Sequence, residues 1–420
     1  MKNKVKILIT HPSRFYHNYG VQAIAFPLME KLNKYFDAEY TFVVNEKYYH
    51  ENLLFSKKYN FNIIARPKVP IMLGRDWVSI LYNLASLLKK RSTIKKEEEK
   101  LLSALIEELR RNDVVVDACG IEFFGKQRFL NKWWDYMDTI YMQYLSNKYN
   151  KPYIKYTNSF GPFPDKLYRF FVKKSLNNLP FVFVRGKENL KAVKELNLKV
   201  PIYSFPDISI SVMPASKDWA INYVAGLKLD PSKPIAGLSP SSVINIKTPD
   251  YIKLCEEIIK FFQSKNQQVL LIPHLLEKDP RFCDLALSKK IYRELKNKEK
   301  VFLIYDTELL YKQVRAIIGL LDFYITGRYH SVSSALSMGV PVVSFSWHIK
   351  YRDIMSLFLD DFLVIDCETT GVNKSLSLIK EYYNNRQWFN KEEVIKRKED
   401  AIKHIGKSID MLVGEIKKYI

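Results

Sequence analysis

Short apolar runs alternate with helix-period patterns from one end of this chain to the other. Val5 to Thr10, Tyr40 to Val44, Phe61 to Ala65, Val114 to Asp117, Tyr153 to Thr157, Phe181 to Val184 and Ile202 to Phe205 read as strands. Helical patterns lie between them, over about Tyr19 to Tyr35, Lys95 to Arg111 and Trp133 to Tyr149. A looser stretch, Met213 to Ser216 with Pro231 and Pro234 beyond it, reads as a linker. The alternation then restarts at Ile235 to Leu238, Val269 to Ile272, Val301 to Ile304, Phe323 to Thr326, Val342 to Phe345 and Phe362 to Ile365. From about Lys391 the pattern is one long amphipathic helix. Strands that alternate with helices call for parallel sheets covered on both faces. The fold class expected is therefore α/β, with two Rossmann-like domains facing a cleft. Residues 1–210 form the first domain, 230–385 the second, and 386–420 the final helix. Ligands of such sheets bind beyond the carboxyl ends of the strands, so the cleft is the expected site.

Composition narrows the class. Of 420 residues, 47% are hydrophobic and 26% charged, enough apolar material for packed cores and too much for disorder. The net charge of +21 is spread along the chain in short clusters such as Lys89-Lys90-Arg91. Such a field favours anionic partners, although a generally lysine-rich surface accounts for it equally well. Cys119, Cys255, Cys283 and Cys367 are far apart and show no zinc spacing, so no metal is expected and the thiols fit a reducing compartment. Cys119 and Cys367 end strand-like runs and are expected to be buried. The N-terminus leads straight into a strand and does not read as a signal peptide. The expected location is cytoplasmic, with peripheral attachment at the inner face of the membrane as a further reading. That reading rests on residues 71–91, where Trp77, Ile80, Leu81, Leu84, Leu87 and Leu88 share a helix face just before a basic cluster. A helix lying on a sheet explains the same spacing and is preferred.

Dinucleotide, P-loop, GxSxG, HExxH and EF-hand signatures are all absent. The chemistry has to be sought at strand ends. Arg328 and His330 stand in Thr326-Gly327-Arg328-Tyr329-His330-Ser331, where a strand passes into a small-residue helix. A helix N-terminus offers free N–H groups, an arginine adds a planar fork, and a histidine can transfer a proton near neutral pH. Together they mark an anion site. Arg185 ends another strand and is a second candidate anion ligand. Asn158 and Ser159 precede a Gly-Pro turn and are placed at a rim. Asp117 ends the strand Val114 to Asp117, where it could bind sugar hydroxyls, pair with an arginine or act as a base. Asn18 reads as the N-cap of the first helix, Gly20 would let a ligand come close, and Asp207 lies at the domain junction.

These pieces, in this order, resemble the polysaccharide pyruvyltransferase family. The matching residues are Asn18-Tyr19-Gly20 with Ala23-Ile24, Val116 to Gly120, Ser159 to Phe163, Val184-Arg185 and Pro206-Asp207. The strongest stretch runs from Gly327-Arg328-Tyr329-His330 through Gly339-Val340-Pro341 to Ser346 to Tyr351. The resemblance covers nearly the whole chain, to about Phe358. It implies a fold similar to the B-type glycosyltransferase fold. It also implies phosphoenolpyruvate as donor co-substrate, no required cofactor, and a glycan or lipid-linked oligosaccharide as acceptor. The implied product is a pyruvate ketal on a sugar of a surface polysaccharide or cell-wall polymer. By family position Arg328 and Arg185 would hold the donor and His330 would be the catalytic acid.

The sequence departs from the commoner family pattern at Val21-Gln22, where an acidic residue often follows the glycine, and around Asp117, which replaces a glycine-rich form. Both departures bear on the acceptor more than on the donor. Lys350, His274, Ser241 and Ser242 also follow strands and could line the second domain's side of the cleft, although satisfied loop positions are the plainer reading. Two alternatives stay open: a glycosyltransferase of the same fold using a nucleotide sugar, and a non-catalytic glycan-binding member. No RNA-binding motif appears, so no specific nucleic-acid partner is expected.

Overall fold

The computed structural model describes residues 3–10, 14–67, 96–124, 129–163 and 165–420, with no side chains given for 129–134. The segment 71–91, read above for membrane contact, lies outside the described residues. The chain divides into two compact units. The first comprises residues 1–16, 28–205 and 406–420, and the second comprises 17–27 and 206–405.

The first unit is built on β1 (Asn3–Thr10), β2 (Phe36–Asn45), β3 (Asn62–Arg66), β4 (Val114–Asp117), β5 (Ile121–Glu122), β6 (Tyr153–Lys155), β7 (Ser159–Phe160), β8 (Val182–Val184) and β9 (Ile202–Ser204). Among the described residues its main sheet is parallel, in the order β3-β2-β1-β4-β6. The central strands are buried on both faces, which is why Ile7-Leu8-Ile9 and Val114-Val115-Val116 read as continuous apolar runs. The short pairs β5–β7 and β8–β9 carry the chain past β6.

The second unit carries β10 (Ile235–Ser239), β11 (Gln268–Leu271), β12 (Val301–Leu303), β13 (Phe323–Thr326), β14 (Val342–Ser346) and β15 (Val364–Asp366). These are all parallel, in the order β12-β11-β10-β13-β14-β15. Renumbered within the sheet this is 3-2-1-4-5-6, the doubly wound order. Both sheets therefore reverse direction of growth at one place: between β1 and β4 in the first, and between β10 and β13 in the second. Thr10 and Asp117 stand at the carboxyl ends flanking the first reversal, and Ser239 and Thr326 flank the second.

Three features differ from the sequence reading. The looser stretch after Phe205 contains a helix, Lys217–Gly226, capped by Ser216 Oγ on the Trp219 amide. Its low amphipathicity hid it between prolines. A second helix, Tyr49–Tyr59, was likewise not anticipated because polar residues interrupt its apolar face. Residues 17–27, though early in the chain, pack with the second unit: Asn18 bridges Leu275, and the Leu276 amide donates to His17 O at 3.0 Å. All four cysteines are free; Cys367 is buried as expected, whereas Cys119 is partly exposed. Among the described residues no helix is long and apolar enough to cross a membrane, and no cluster of side chains suits a metal ion.

Candidate functional site

The second unit brings its candidates together where its sheet reverses. Gly327 makes this closure physically feasible, since a Cβ there would collide with Ile244 and Ser241. Arg328 follows as the N-cap residue of the helix Tyr329–Ser337, and its guanidinium turns to Asp284. Nε donates to Asp284 Oδ2 at 2.8 Å, and one Nη donates to Asp284 Oδ1 and, at 2.9 Å, to Ser242 Oγ. Asp284 is fully buried and also accepts the Ser242 amide at 2.9 Å and the Leu275 amide at 2.9 Å. One carboxylate thus ties together the loops that follow β10, β11 and β13. Burial would lower the Arg328 pKa, but the charge and hydrogen bonds of Asp284 outweigh it and leave the guanidinium firmly protonated. Nη1 makes no hydrogen bond among the described residues, and 14% of the side chain remains exposed. Arg328 is therefore an arginine held rigid from behind with one Nη to present.

His330 lies two residues further on, in the first turn of the helix. Its Nε2 faces Asp207 Oδ2 at 3.9 Å, while Asp207 Oδ1 accepts the Ser209 amide at 2.7 Å. Behind Asp207 the buried Arg315 donates to Ser209 O at 2.7 Å and Val212 O at 2.9 Å, and burial lowers its pKa to about 10. The other side of His330 meets Gly20: a Cβ there would come within 2.6 Å of His330 Nδ1. Gly20 is thus required as the surface on which the imidazole rests. Asn18 caps the same helix as expected, its Oδ1 accepting the Val21 amide at 3.2 Å. Gln22, at a departure from the commoner family pattern, is buried and its Oε1 accepts the Tyr311 amide at 3.0 Å. It serves as a helix anchor there.

His274, at the end of the loop after β11, is buried, with Nδ1 2.9 Å from Ser331 Oγ and its ring edge-on to Tyr19. Burial first, then the charges of His330 and Arg328, hold its pKa well below the usual imidazole value. Ser241 is buried with its Oγ free of hydrogen bonds among the described residues. Lys350 lies after β14 with Nζ 4.6 Å from the centre of the Trp347 ring and 5.5 Å from that of Tyr329. Tyr351, next to it, donates to Gly327 O at 2.8 Å.

The first unit gathers a different cluster at its own reversal. Asp117 is fully buried and accepts from Lys155 Nζ at 2.6 Å and from Tyr153 OH at 2.7 Å. Lys155, also fully buried, grips both oxygens of Glu122 at 2.7 and 2.8 Å. Burial would lower the lysine pKa, and the two carboxylates reverse that. Asp117 thus has a lysine and a tyrosine for partners where an arginine was considered, and its side chain is buried. Asn158 and Ser159 are likewise interior residues, against the rim expected for them. Asn158 bridges Val184 and donates to Glu122 at 3.1 Å, which draws the segment between strands. Arg185 is buried, with Nη1 donating to Gly120 O at 3.1 Å.

Asp284, Ser242, Ser331 and Tyr351 complete the second unit's cluster; of these the sequence marks Ser242 alone as a candidate lining residue, and gives Asp284, Ser331 and Tyr351 no such role. Asp284 looks like an ordinary first-turn acid of the helix Asp284–Glu294. Its one available signal was position, ten residues past a strand-end histidine.

The parallel sheets and their order define an α/β protein of the B-type glycosyltransferase fold. A glycosyltransferase from Rickettsia africae is similar over 99% of this chain and 99% of its own, with 12% identity and a TM-score of 0.57. A putative UDP-N-acetylglucosamine 2-epimerase from Listeria monocytogenes matches over 99% and 96%, at 14% identity and a TM-score of 0.57. Sucrose-phosphate synthase from Thermosynechococcus elongatus matches over 99% and 98%, at 11% identity and 0.54. Comparison with curated protein sequences returns no match. The sequence model of the polysaccharide pyruvyl transferase family matches residues 18–349, and the chain belongs to that family.

Three outcomes follow from this geometry. Gly20→Ala should displace the His330 ring and lower activity by about tenfold or more while the melting temperature changes little, checked by kinetics beside thermal melts. Lys155→Met should strand two buried carboxylates and cost roughly 3–5 kcal/mol in denaturant titrations; Lys155→Met with Glu122→Gln should recover part of the loss. For His274, the folded pKa is lowered from 6.5, so below that pH the unfolded chain binds a proton that the folded chain resists. Stability should fall as pH drops through 6.5, and His274→Asn should flatten that limb of a pH series of unfolding free energies.

Proposed function

We propose that this chain transfers the pyruvyl group of phosphoenolpyruvate to two hydroxyls of one sugar in a surface polysaccharide or cell-wall glycan, forming a ketal. The observation that carries the reading is the meeting of Arg328, His330, Asp207 and Gly20 at the reversal point of the second unit's sheet, in a member of the pyruvyl transferase family.

Phosphoenolpyruvate presents a phosphate and a carboxylate on one small enol. The Arg328 Nη left over by Asp284 suits an anionic oxygen, and its braced fork adds orientation to charge. Lys350 supplies a second cation from the loop after β14. In the first step His330, protonated and supported by the Asp207 carboxylate, gives its proton to the methylene carbon. That carbon becomes a methyl group while a sugar hydroxyl bonds to C2, and the hydroxyl proton restores the imidazolium. In the second step the other hydroxyl attacks C2 and the C–O bond to phosphate breaks. Inorganic phosphate leaves with that hydroxyl's proton, and the ketal ring closes. A positioned acid contributes about 10²–10⁴ to such a step.

His330→Ala should therefore bind phosphoenolpyruvate with near-normal affinity and lose turnover by about 10²–10⁴. Arg328→Lys should weaken donor binding, since a point charge replaces a fork. Calorimetry with phosphoenolpyruvate and phosphate release check these two outcomes, and mass spectrometry of glycans from strains with and without the gene checks the product. Each ketal adds the mass of pyruvic acid less one water. Near-full activity of His330→Ala, or stabilisation by nucleotide sugars in place of phosphoenolpyruvate, would overturn this reading.

A further inference from the structure

Arg328 and His330 do not exhaust the polar groups at the reversal point of the second sheet. His274 leaves β11 through Ile272-Pro273 and is more than nine-tenths buried. Its ring is fixed at two points and the backbone beside it at a third. Tyr19 packs edge-on to it at 5.6 Å between ring centres. Ser331 Oγ bonds Nδ1 at 2.9 Å. The next residue, Leu275, gives its amide to Asp284 Oδ2, the oxygen that also holds Arg328 Nε. The histidine and the arginine are thus positioned by one carboxylate. Yet His274 Nε2, buried, makes no hydrogen bond among the described residues. A buried polar nitrogen on an over-determined ring is costly unless something meets it.

We propose that His274 is a further ligand-contacting residue of this site, donating Nε2–H to a phosphate oxygen of the bound donor while Ser331 holds Nδ1. A serine hydroxyl can donate or accept, so the Ser331 bond permits either ring tautomer. An anion beside Arg328 selects the one in which Ser331 donates to Nδ1 and the proton sits on Nε2. The neutral state this needs agrees with the lowered proton affinity produced by burial, His330 and Arg328. The two histidines then divide the work: His330, facing Asp207, carries charge, and His274 supplies an uncharged donor to the phosphate. The inference rests on the pyruvyl-transfer reading for the identity of the donor. The phosphate contact itself does not depend on that reading, because a nucleotide diphosphate would meet the same group.

Two substitutions separate the ring nitrogens. His274→Asn keeps a polar group near Nδ1 for Ser331 and removes Nε2, whereas His274→Gln places an amide N–H near Nε2 and gives up the Ser331 bond. His274→Asn should weaken phosphoenolpyruvate binding by about 10- to 100-fold, the range for a hydrogen bond to a charged group, with a smaller change in kcat. His274→Gln should recover most of that affinity. Wild-type affinity in His274→Asn, or equal losses in both variants with lowered melting temperatures, would overturn the contact and leave a structural histidine. ¹⁵N-histidine spectra of the wild-type protein titrated with inorganic phosphate test it without any substitution. The Nε2 resonance of His274 should move as phosphate binds, and an unmoved resonance at saturating phosphate would overturn the proposal. Displacement of phosphate by UDP but not by phosphoenolpyruvate would support the contact and overturn the pyruvyl donor. Normal pyruvyl transfer with a silent His274→Asn would sink the contact alone.

Discussion

The second unit depends on a single carboxylate. Asp284 accepts two backbone amides and a two-point grip from Arg328 while shut away from water. A buried charge survives only when every lone pair finds a donor, and this one recruits its donors from the loops after three different strands. Those loops are the ones that doubly wound sheets use for binding. The ion pair therefore converts three independent strand ends into one surface, and fixes the arginine so that its remaining nitrogen points with little loss of side-chain freedom. Remove the acid, and the arginine becomes a long flexible cation over a cluster of unattached loops.

Much of the fold was legible because parallel strands covered on both faces leave continuous apolar runs, as Val114 to Val116 and Phe323 to Ile325 do. Arg328 and His330 were legible because a strand end, a glycine and a small-residue helix coincide within a few positions. What stayed hidden was pairing over distance. Nothing local distinguishes Asp284 from any acid in a first helical turn, and its partner lies 44 residues away. Gly20 was read as room for a ligand, but what it makes room for is the His330 ring. Asp117 illustrates the same limit in reverse. Its strand-end position suggested an accessible group, yet the lysine that neutralises it sits on the neighbouring strand, where Lys155 alternates among apolar residues without any signal of its purpose.

Each unit buries an ion pair beside its sheet reversal. The first buries a lysine between two carboxylates, which fixes the arrangement of β4, β5 and β6, and beside it Thr157 Oγ1, Asn158 Oδ1 and Ser159 Oγ are buried without a hydrogen bond among the described residues. The second leaves its groups partly unspent: one Nη of Arg328, Nε2 of His274 and the hydroxyl of Ser241.

The path of the chain adds a constraint. The first unit is completed by residues 406–420, where Asp410 accepts from Tyr35 OH at 2.6 Å and Ser408 meets Tyr156 OH at 2.9 Å. The unit whose strands come earlier in the chain is thus the one that takes up this late segment. In chain order the whole second unit lies between those early strands and residues 406–420, so removing that segment would take contacts from the unit whose strands come earlier.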